Sequence, residues 1–266
     1  MPVLDTRFKG ICFDIGGVVI TSPLIAIAQY ERERGFPRDW LNVLITGHGH
    51  GGSWQRFERG EIDLYTFYDG FGRDLSDVRR GKSWYAQYCT KKGWTFPTLP
   101  PSSEMKVDGR ELFGRMMRGS QFDDLVVRAI KIIRATRQYR VVAITNNFAG
   151  STSNVDEEEK KFLGWDGGAA STSLQLRALF DDYIDSSEVG LRKPDPAIYK
   201  LACERNSLKP QETIMLDDLG MNLKPAKELG MTTIQVNIGR SEEAVRKLGE
   251  LLALDLLDGG APMSRL

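Results

Sequence analysis

Short apolar runs that end in polar residues recur along this chain. The first extends from Ile11 to Phe13 and is followed by Asp14 and by the paired glycines Gly16 and Gly17. Apolar runs of this length, bounded by turn residues, are typical of buried β-strands. Four later runs fit the same description, at 140–144, 183–185, 213–216 and 232–236. Because amphipathic segments separate these later runs, the pattern predicts a parallel sheet with helices on both faces, a doubly wound α/β fold.

The segments between the later runs carry helical periodicity. In residues 123–138 apolar side chains recur every three or four positions, which predicts an amphipathic helix. Further helices are predicted at 174–180, 197–205, 223–229 and 241–257. Residues 151–173 are rich in Ser, Gly and acidic residues, which predicts a mobile surface insertion.

The long stretch after the first strand shows no β alternation. Ser22-Pro23 predicts a helix start, because Ser is a good N-cap and Pro fits the first helical position. Ser53 and Asp63 are the predicted N-caps of two further helices, at 54–59 and 64–71. Aromatic side chains are dense in this stretch, and we expect most of them in the core of a small helical bundle.

These elements divide the chain into a core, an insertion and a tail. The α/β core is predicted to comprise residues 1–21 and 116–258, the helical insertion residues 22–115, and an extended tail residues 259–266. The tail ends in Ser264-Arg265-Leu266, which differs from the S-K-L peroxisomal signal only by Arg in place of Lys. The ending is therefore read either as a peroxisomal address or as a frayed terminus.

Composition narrows the class of protein. Thirty-six basic residues balance 36 acidic ones, and a net charge of zero argues against a broad nucleic-acid-binding surface. The three cysteines form no C-x-x-C pair and Cys12 lies in the first apolar run, which favours a reducing compartment. No apolar run approaches the roughly 20 residues of a membrane-spanning helix. We expect an intracellular protein without nucleic-acid or membrane partners, and the oligomeric state stays open.

Chemically active side chains follow the predicted strands. In a doubly wound sheet the carboxyl ends of the strands border one crevice. The residues that the pattern places there are Asp14, Thr145, Lys193, Asp217 and Asp218. Each alone has a plain structural reading, as a cap, a turn residue or a solvated loop, but together they give one cation against three carboxylates. Such an excess calls for protonated acids or a bound cation, and oxygen ligands without His or Cys indicate Mg²⁺.

These residues resemble the four motifs of the haloacid dehalogenase (HAD) superfamily. That superfamily carries Asp-x-Asp after its first strand, then a Thr or Ser, a Lys and an acidic pair. The stretches from Leu216 to Met231 and from Gly190 to Lys200 are similar to the phosphatase domain at the N-terminus of soluble epoxide hydrolases. FDIGGVVITSP and WQRFERGEI resemble HAD domains fused to acyl-CoA dehydrogenase-like proteins. The resemblance implies a Rossmann-like core whose helical insertion is a mobile cap.

The resemblance also implies a Mg²⁺-dependent phosphatase that acts on a small phosphorylated metabolite. Asp14 would attack phosphorus to form an aspartyl-phosphate, and Lys193 would pair with Asp14 and with the phosphoryl group. Thr145 and the backbone of Asn146 would bind that group. The implied Mg²⁺ ligands are Asp14, the carbonyl of Gly16 and Asp218, with Asp217 in support.

Position 16 departs from the superfamily pattern. Its phosphatases usually carry there the second Asp, whose side chain is the general acid and base, and this chain has Gly16. Loss of a general acid costs roughly 10²- to 10⁴-fold in rate, less when the leaving group needs no proton. We therefore expect weak activity on alkyl phosphates, or a replacement acid from the cap. The cap candidates for an acid or a substrate contact are His48, His50 and Arg56, although a polar glycine loop is the plainer reading of both histidines.

Two other functions stay open. Without a general acid the chain could be a HAD-fold module that binds phosphate and does not turn over. A hydrolytic dehalogenase would use the same Asp nucleophile without metal, but the intact Asp217-Asp218 pair favours the phosphatase.

Overall fold

The computed structural model describes residues 7–148, 155–165 and 174–257. Contacts divide the chain into two compact units. The sheet unit comprises Met1–Ser22, Ser120–Asn147 and Gly167–Leu266, and the helical unit comprises Pro23–Gly119 and Phe148–Asp166. The segment 148–166 thus groups with the helical unit, whereas the sequence placed it in the core. The predicted role of the helical unit as a cap stays a prediction.

The strands follow one another in the order that the apolar pattern predicts, with helices between them. The strands are β1 Gly10–Phe13, β2 Arg140–Thr145, β3 Asp182–Asp185, β4 Thr213–Asp217 and β5 Thr232–Gln235. The α-helices are α1 Pro23–Glu33, α2 Trp40–Gly47, α3 Ser53–Glu58, α4 Leu64–Leu75, α5 Val78–Lys92, α6 Gly109–Arg118, α7 Asp124–Thr136, α8 Glu157–Phe162, α9 Leu174–Arg177, α10 Ser186–Val189, α11 Pro196–Arg205, α12 Gly220–Glu228 and α13 Ser241–Leu252.

All five strands form one parallel sheet in the order β3-β2-β1-β4-β5. Strand β1 lies at the centre, where Phe13 is opposite Ala143 of β2 and Leu216 of β4. The predicted doubly wound α/β fold is therefore confirmed. Because β1 and β4 are direct neighbours, the residues that follow them emerge side by side.

Each face of the sheet packs on its own layer of helices. Ile11 and Phe13 belong to a buried cluster with side chains of α7 and α13. Cys12 points to the other face, in a cluster with side chains of α11 and α12. Burial on both faces explains why the strands read as continuous apolar runs and not as alternating ones.

Side-chain caps fix where several helices begin. Asp123 accepts hydrogen bonds from the backbone N–H groups of Leu125 and Val126, so α7 begins where the sequence predicted. Asp63 caps α4 in the same way, through the N–H of Thr66. Ser53 is not an N-cap: it is the first residue of α3, and Gly52 precedes it without a side-chain hydrogen bond.

The helical unit has an aromatic core of its own, as predicted. Phe57 stacks on Phe67 with ring centroids 4.2 Å apart, and Phe113 meets both rings edge-on. Helix α8 joins this unit through Glu159, which accepts a hydrogen bond from Tyr68 Oη at 2.7 Å. Residues 155–165, which belong to the segment predicted as a surface insertion, therefore pack against the core of the helical unit. Their sequence is polar, but Glu159 is buried.

Four further features bear on the sequence-based predictions. Helix α9 ends at Arg177 and α13 at Leu252, short of the predicted 180 and 257. Cys12, Cys89 and Cys203 are free and buried. No helix in the described part of the chain has the length and apolarity to cross a bilayer. The Ser264-Arg265-Leu266 ending lies outside the described residues, and its reading as a peroxisomal address stays a prediction.

Candidate active site

Three carboxylates meet at the carboxyl edge of the sheet. Asp14 directly follows β1, and its backbone N–H donates to Leu216 O of β4 at 2.9 Å. Asp217 ends β4 and Asp218 follows it. One oxygen from each of the three carboxylates lies within 4.8 Å of the other two. Two neighbouring strands that end at the same level are therefore enough to build an acidic cluster.

Lys193 supplies the positive charge inside this cluster. Its Nζ lies 2.7 Å from Asp14 Oδ1 and 2.8 Å from Asp217 Oδ2, and the residue is 1% exposed. Its backbone is held by Asn146, whose side-chain amide donates to Lys193 O at 2.9 Å and accepts from Lys193 N at 2.8 Å. These two hydrogen bonds fix the position of the Lys193 backbone, and therefore of the Cα atom from which its side chain extends.

The two aspartates of the acidic pair have different surroundings. Asp217 is fully buried, and besides Lys193 it accepts hydrogen bonds from Leu219 N at 2.9 Å and from Asn222 Nδ2 at 3.0 Å. Asp218 is less buried and accepts a hydrogen bond from Ser22 Oγ at 3.2 Å. Asp217 is therefore suited to orient Lys193, whereas Asp218 retains more capacity for a further ligand.

The two oxygens of Asp14 also differ. Oδ1 accepts a hydrogen bond from Ile15 N at 2.6 Å and contacts Lys193 Nζ. Among the described residues nothing donates to Oδ2. A carboxylate held by one oxygen while the other is left without a hydrogen bond is well arranged for nucleophilic attack.

Burial and mutual repulsion shift the ionisation of these groups. Burial raises the pKa of Asp14 well above its usual range; Lys193 opposes this, and the charges of Asp217 and Asp218 reinforce it. Burial and the charge of Asp217 raise the pKa of Asp218 to about 6. Burial alone would lower the pKa of Lys193, but Asp14 and Asp217 outweigh it and raise that pKa. Negative charge therefore exceeds what one lysine neutralises.

A glycine turn lets Asp218 approach the first strand. Gly17 has φ +83°, and a Cβ atom on it would lie 2.2 Å from Asp218 Oδ2. Both the left-handed backbone and the close contact therefore require glycine at this position. Gly16 does not have positive φ, so its backbone conformation does not require a glycine.

The cluster fits a divalent cation with oxygen ligands. Carboxylates of Asp14 and Asp218 lie close enough to share one ion, and the surplus charge that raises their pKa values is what such an ion would neutralise. Mg²⁺ binds through one or two carboxylates and keeps other positions for water or phosphate. The donor set and its charge thus agree with the predicted metal.

Thr145 lies beside the acidic cluster in the sheet unit, whereas the cap candidates His48, His50 and Arg56 belong to the helical unit. Thr145 ends β2, next to β1, and is 3% exposed. His48 Nε2 lies 3.0 Å from the carbonyl oxygen of Asp74. His50 and Arg56 are exposed, and Arg56 Nε lies 3.6 Å from Glu61 Oε2. The contacts of His48 lie within its own unit, and the suggested roles of these three residues stay predictions.

Sequence reasoning missed several residues around the site. It took Ser22 only as a helix cap, and it gave no role to Asn222 or to Asn147 and its buried partners after β3. Ser22 follows Asp14 by eight positions and Asn222 follows Asp218 by four, so their spacing from these aspartates was the available signal. Asn147 carried none, because Asn-Asn after a strand is ordinary turn chemistry.

Comparison with known proteins identifies the class. The family model of haloacid dehalogenase-like hydrolases matches residues 8–230, so the chain belongs to that family and the predicted superfamily is confirmed. It is 32% identical to acyl-CoA dehydrogenase family member 10 of Mus musculus, over 94% of this chain and 20% of that protein. It is 28% identical to bifunctional epoxide hydrolase 2 of Sus scrofa, over 92% of this chain and 39% of that protein.

The fold is also shared with a dehalogenase of known structure. That structure aligns with a TM-score of 0.53 at 18% identity and covers 93% of this chain and 98% of the other. Identity at this level supports the fold alone. The chain spans between about a fifth and two fifths of the length of the two curated relatives above.

Proposed function

We propose that this chain is a Mg²⁺-dependent phosphatase that works through an aspartyl-phosphate on Asp14. The observation that carries the proposal is the cluster of three carboxylates within 4.8 Å around the buried ammonium of Lys193. Displacement of halide from carbon needs no metal ion, so an acidic pair beside the nucleophile favours the phosphatase over a dehalogenase. An anionic phosphoryl group needs the cation that such a pair binds.

The side chains have distinct tasks in this reaction. Asp14 Oδ2 attacks phosphorus, the new Oδ2–P bond forms, and the electron pair of the broken P–O bond leaves with the departing oxygen. Lys193 and the hydroxyl of Thr145 bind phosphoryl oxygens and stabilise the charge that develops there. Mg²⁺, when bound to Asp14, Gly16 O and Asp218, supplies additional neutralisation of nucleophile and phosphoryl oxygens. Water then attacks phosphorus, the P–Oδ2 bond breaks, and inorganic phosphate leaves.

Gly16 shapes the choice of substrate. With no side chain at this position, the turn after β1 offers no acid to protonate the leaving oxygen. Alkyl alcohols are very weak acids and depart poorly without a proton, whereas carboxylates and phenolates depart as anions. Small acyl or aryl phosphates are therefore the preferred substrate class.

A comparison of two substrates and one variant tests the proposal. The wild type should release phosphate from acetyl phosphate and p-nitrophenyl phosphate with Mg²⁺, and release should stop with EDTA and in Asp14→Asn. The matched control is Asp182→Asn. Asp182 is the first residue of β3, at the edge of the sheet away from the proposed site, and its carboxylate pairs with Arg205. Release that persists in Asp14→Asn would contradict the proposal.

Gly16 also favours a second candidate, a module that binds phosphate without turnover. In that case the wild type would bind inorganic phosphate in the presence of Mg²⁺, as measured by calorimetry. It would release none from either substrate.

A further inference from the structure

A second buried polar cluster lies behind the proposed site, between the ends of β2 and β3. We call it the Asn147 cluster, and it consists of Asn147, Asp185 and Ser186. These residues are 1%, 0% and 0% exposed. Strand register places Asp185 opposite Thr145, at the level where β2 gives way to the loop that carries Asn146.

Three hydrogen bonds tie the loop to Asp185, the last residue of β3, and to Ser186, the first residue of α10. Asn147 Nδ2 donates to Asp185 Oδ2 at 2.8 Å. Asn147 N donates to Ser186 Oγ at 2.9 Å, and Ser186 Oγ donates to Asn147 O at 3.1 Å. Both the main chain and the side chain of one loop residue are therefore held by the same two residues.

Asp185 is itself held in a single orientation. Its Oδ1 accepts hydrogen bonds from Ser187 N at 3.0 Å and from Ser187 Oγ at 2.6 Å, while its Oδ2 accepts from Asn147 Nδ2 and, at 3.5 Å, from Arg177 Nη2. Burial raises the pKa of Asp185, against the opposing hydrogen bonds from Ser187 and Asn147. Burying a carboxylate costs free energy of folding. When all of its hydrogen bonds are made, the buried network stabilises one conformation of the loop over its alternatives.

The loop transmits that geometry to Lys193. Asn146, adjacent to Asn147, makes the two-point hydrogen-bond pairing with the Lys193 backbone described above. Lys193 in turn places its Nζ between Asp14 and Asp217. A chain of direct contacts thus runs from Asp185 through the two asparagines to the nucleophile.

We propose that Asp185 is a positioning residue, which acts through Asn147 and Asn146 to set the place of Lys193 beside Asp14. The inference rests on the proposed phosphatase function for its effect on rate, and on the hydrogen-bond chain for its effect on structure. Asp185 touches neither the substrate nor the nucleophile in this scheme.

The test compares two carboxylates of one strand. Asp185→Asn places an amide N–H₂ where Asn147 Nδ2 donates or where Ser187 donates, so at least one hydrogen bond is lost in either orientation, and the ion pair with Arg177 is lost in both. Asp182→Asn is the control, because Asp182 accepts hydrogen bonds from Arg205 and Asn206 at the other end of β3. The double variant Asn147→Asp with Asp185→Asn restores a donor–acceptor pair between the two positions.

With p-nitrophenyl phosphate and Mg²⁺, we expect Asp185→Asn to lower kcat about 10- to 100-fold with little change in KM, since a misplaced ammonium weakens the transition state. Asp182→Asn should keep its kcat, and the double variant should recover most of the loss. Amide hydrogen exchange should accelerate at Asn146 and Asn147 only in Asp185→Asn.

The outcomes separate the two claims. Equal kcat values and equal exchange in Asp185→Asn and Asp182→Asn would overturn the positioning role. Faster exchange at Asn146 and Asn147 in Asp185→Asn would support that role even if the wild type showed no turnover. The absence of turnover would count against the phosphatase alone.

Discussion

Asp14→Asn should leave the metal-free protein as stable as the wild type or more stable. Both side-chain contacts of Asp14, from Ile15 N and from Lys193 Nζ, go to Oδ1, and the Oδ1 of asparagine can accept both. The variant therefore removes a charge and keeps the hydrogen bonds. Any change in stability reports what that charge costs the fold.

The magnitude follows from the distances. At an effective dielectric constant near 20, a unit charge pair at 2.7 Å gains about 6 kcal/mol, while two like charges within 4.8 Å each cost at least about 3 kcal/mol. The attraction of Lys193 is thus roughly cancelled by Asp217 and Asp218, and the burial of Asp14 remains as a cost. We expect Asp14→Asn to gain from zero to about 2 kcal/mol in free energy of unfolding.

Urea unfolding near neutral pH in EDTA measures this difference, with Asp182→Asn as the control that loses a paired carboxylate. Added Mg²⁺ should then stabilise the wild type more than Asp14→Asn, because binding to the folded state adds a stability that grows with the logarithm of the affinity. A loss of more than about 1 kcal/mol in EDTA would refute the reasoning, since the charge of Asp14 would then be favourably paired.

Four further outcomes follow from individual residues. Gly16→Asp should raise activity on alkyl phosphates at least tenfold relative to acyl phosphates, in a leaving-group series, by supplying a general acid; unchanged selectivity would contradict this. Gly17→Ala should strain the backbone by roughly 1–2 kcal/mol and displace Asp218, so its Mg²⁺ affinity should fall more than its stability. Because the pKa of Asp218 is raised to about 6, the contribution of Asp218 to the stability of the metal-free protein should fall as pH rises from about 4 to about 6. Mg²⁺ should bind more weakly below pH 6, and thermal unfolding with and without the metal tests both trends. Glu31→Ala removes the acceptor of two backbone N–H groups at the start of α2 and should cost roughly 2–4 kcal/mol in urea unfolding, with the exposed Glu33→Ala as control.

The order of strands could be predicted because buried parallel strands leave a simple trace in sequence. Ile11 to Phe13 is too short and too apolar for a surface helix, and Asp14 with two glycines marks its end. Once several strands share that pattern, topology brings their ends to one edge, so the meeting of Asp14 with Asp217 needed no knowledge of loop geometry. The place of Lys193 depends on the loop after α10 and on its pairing with Asn146.

Other features depend on contacts that no local pattern encodes. The sequence EEEKKF of α8 reads as solvated surface, and only the contacts of Glu159 with Tyr68 and Arg110 show that this residue is buried. The Asn147 cluster requires the register of β2 against β3, which pairs residues 38 and 39 positions apart. Ser53 was misjudged as a cap because Gly52, the actual N-cap residue, is also compatible with that position.

The most direct test of the account is to locate the covalent phosphate. The wild type mixed with acetyl phosphate and Mg²⁺, quenched in acid and digested, should yield a peptide phosphorylated on Asp14 by mass spectrometry, and EDTA should abolish it. Phosphate release in the absence of that adduct, or an adduct on another residue, would contradict the claim that Asp14 is the phosphoryl acceptor.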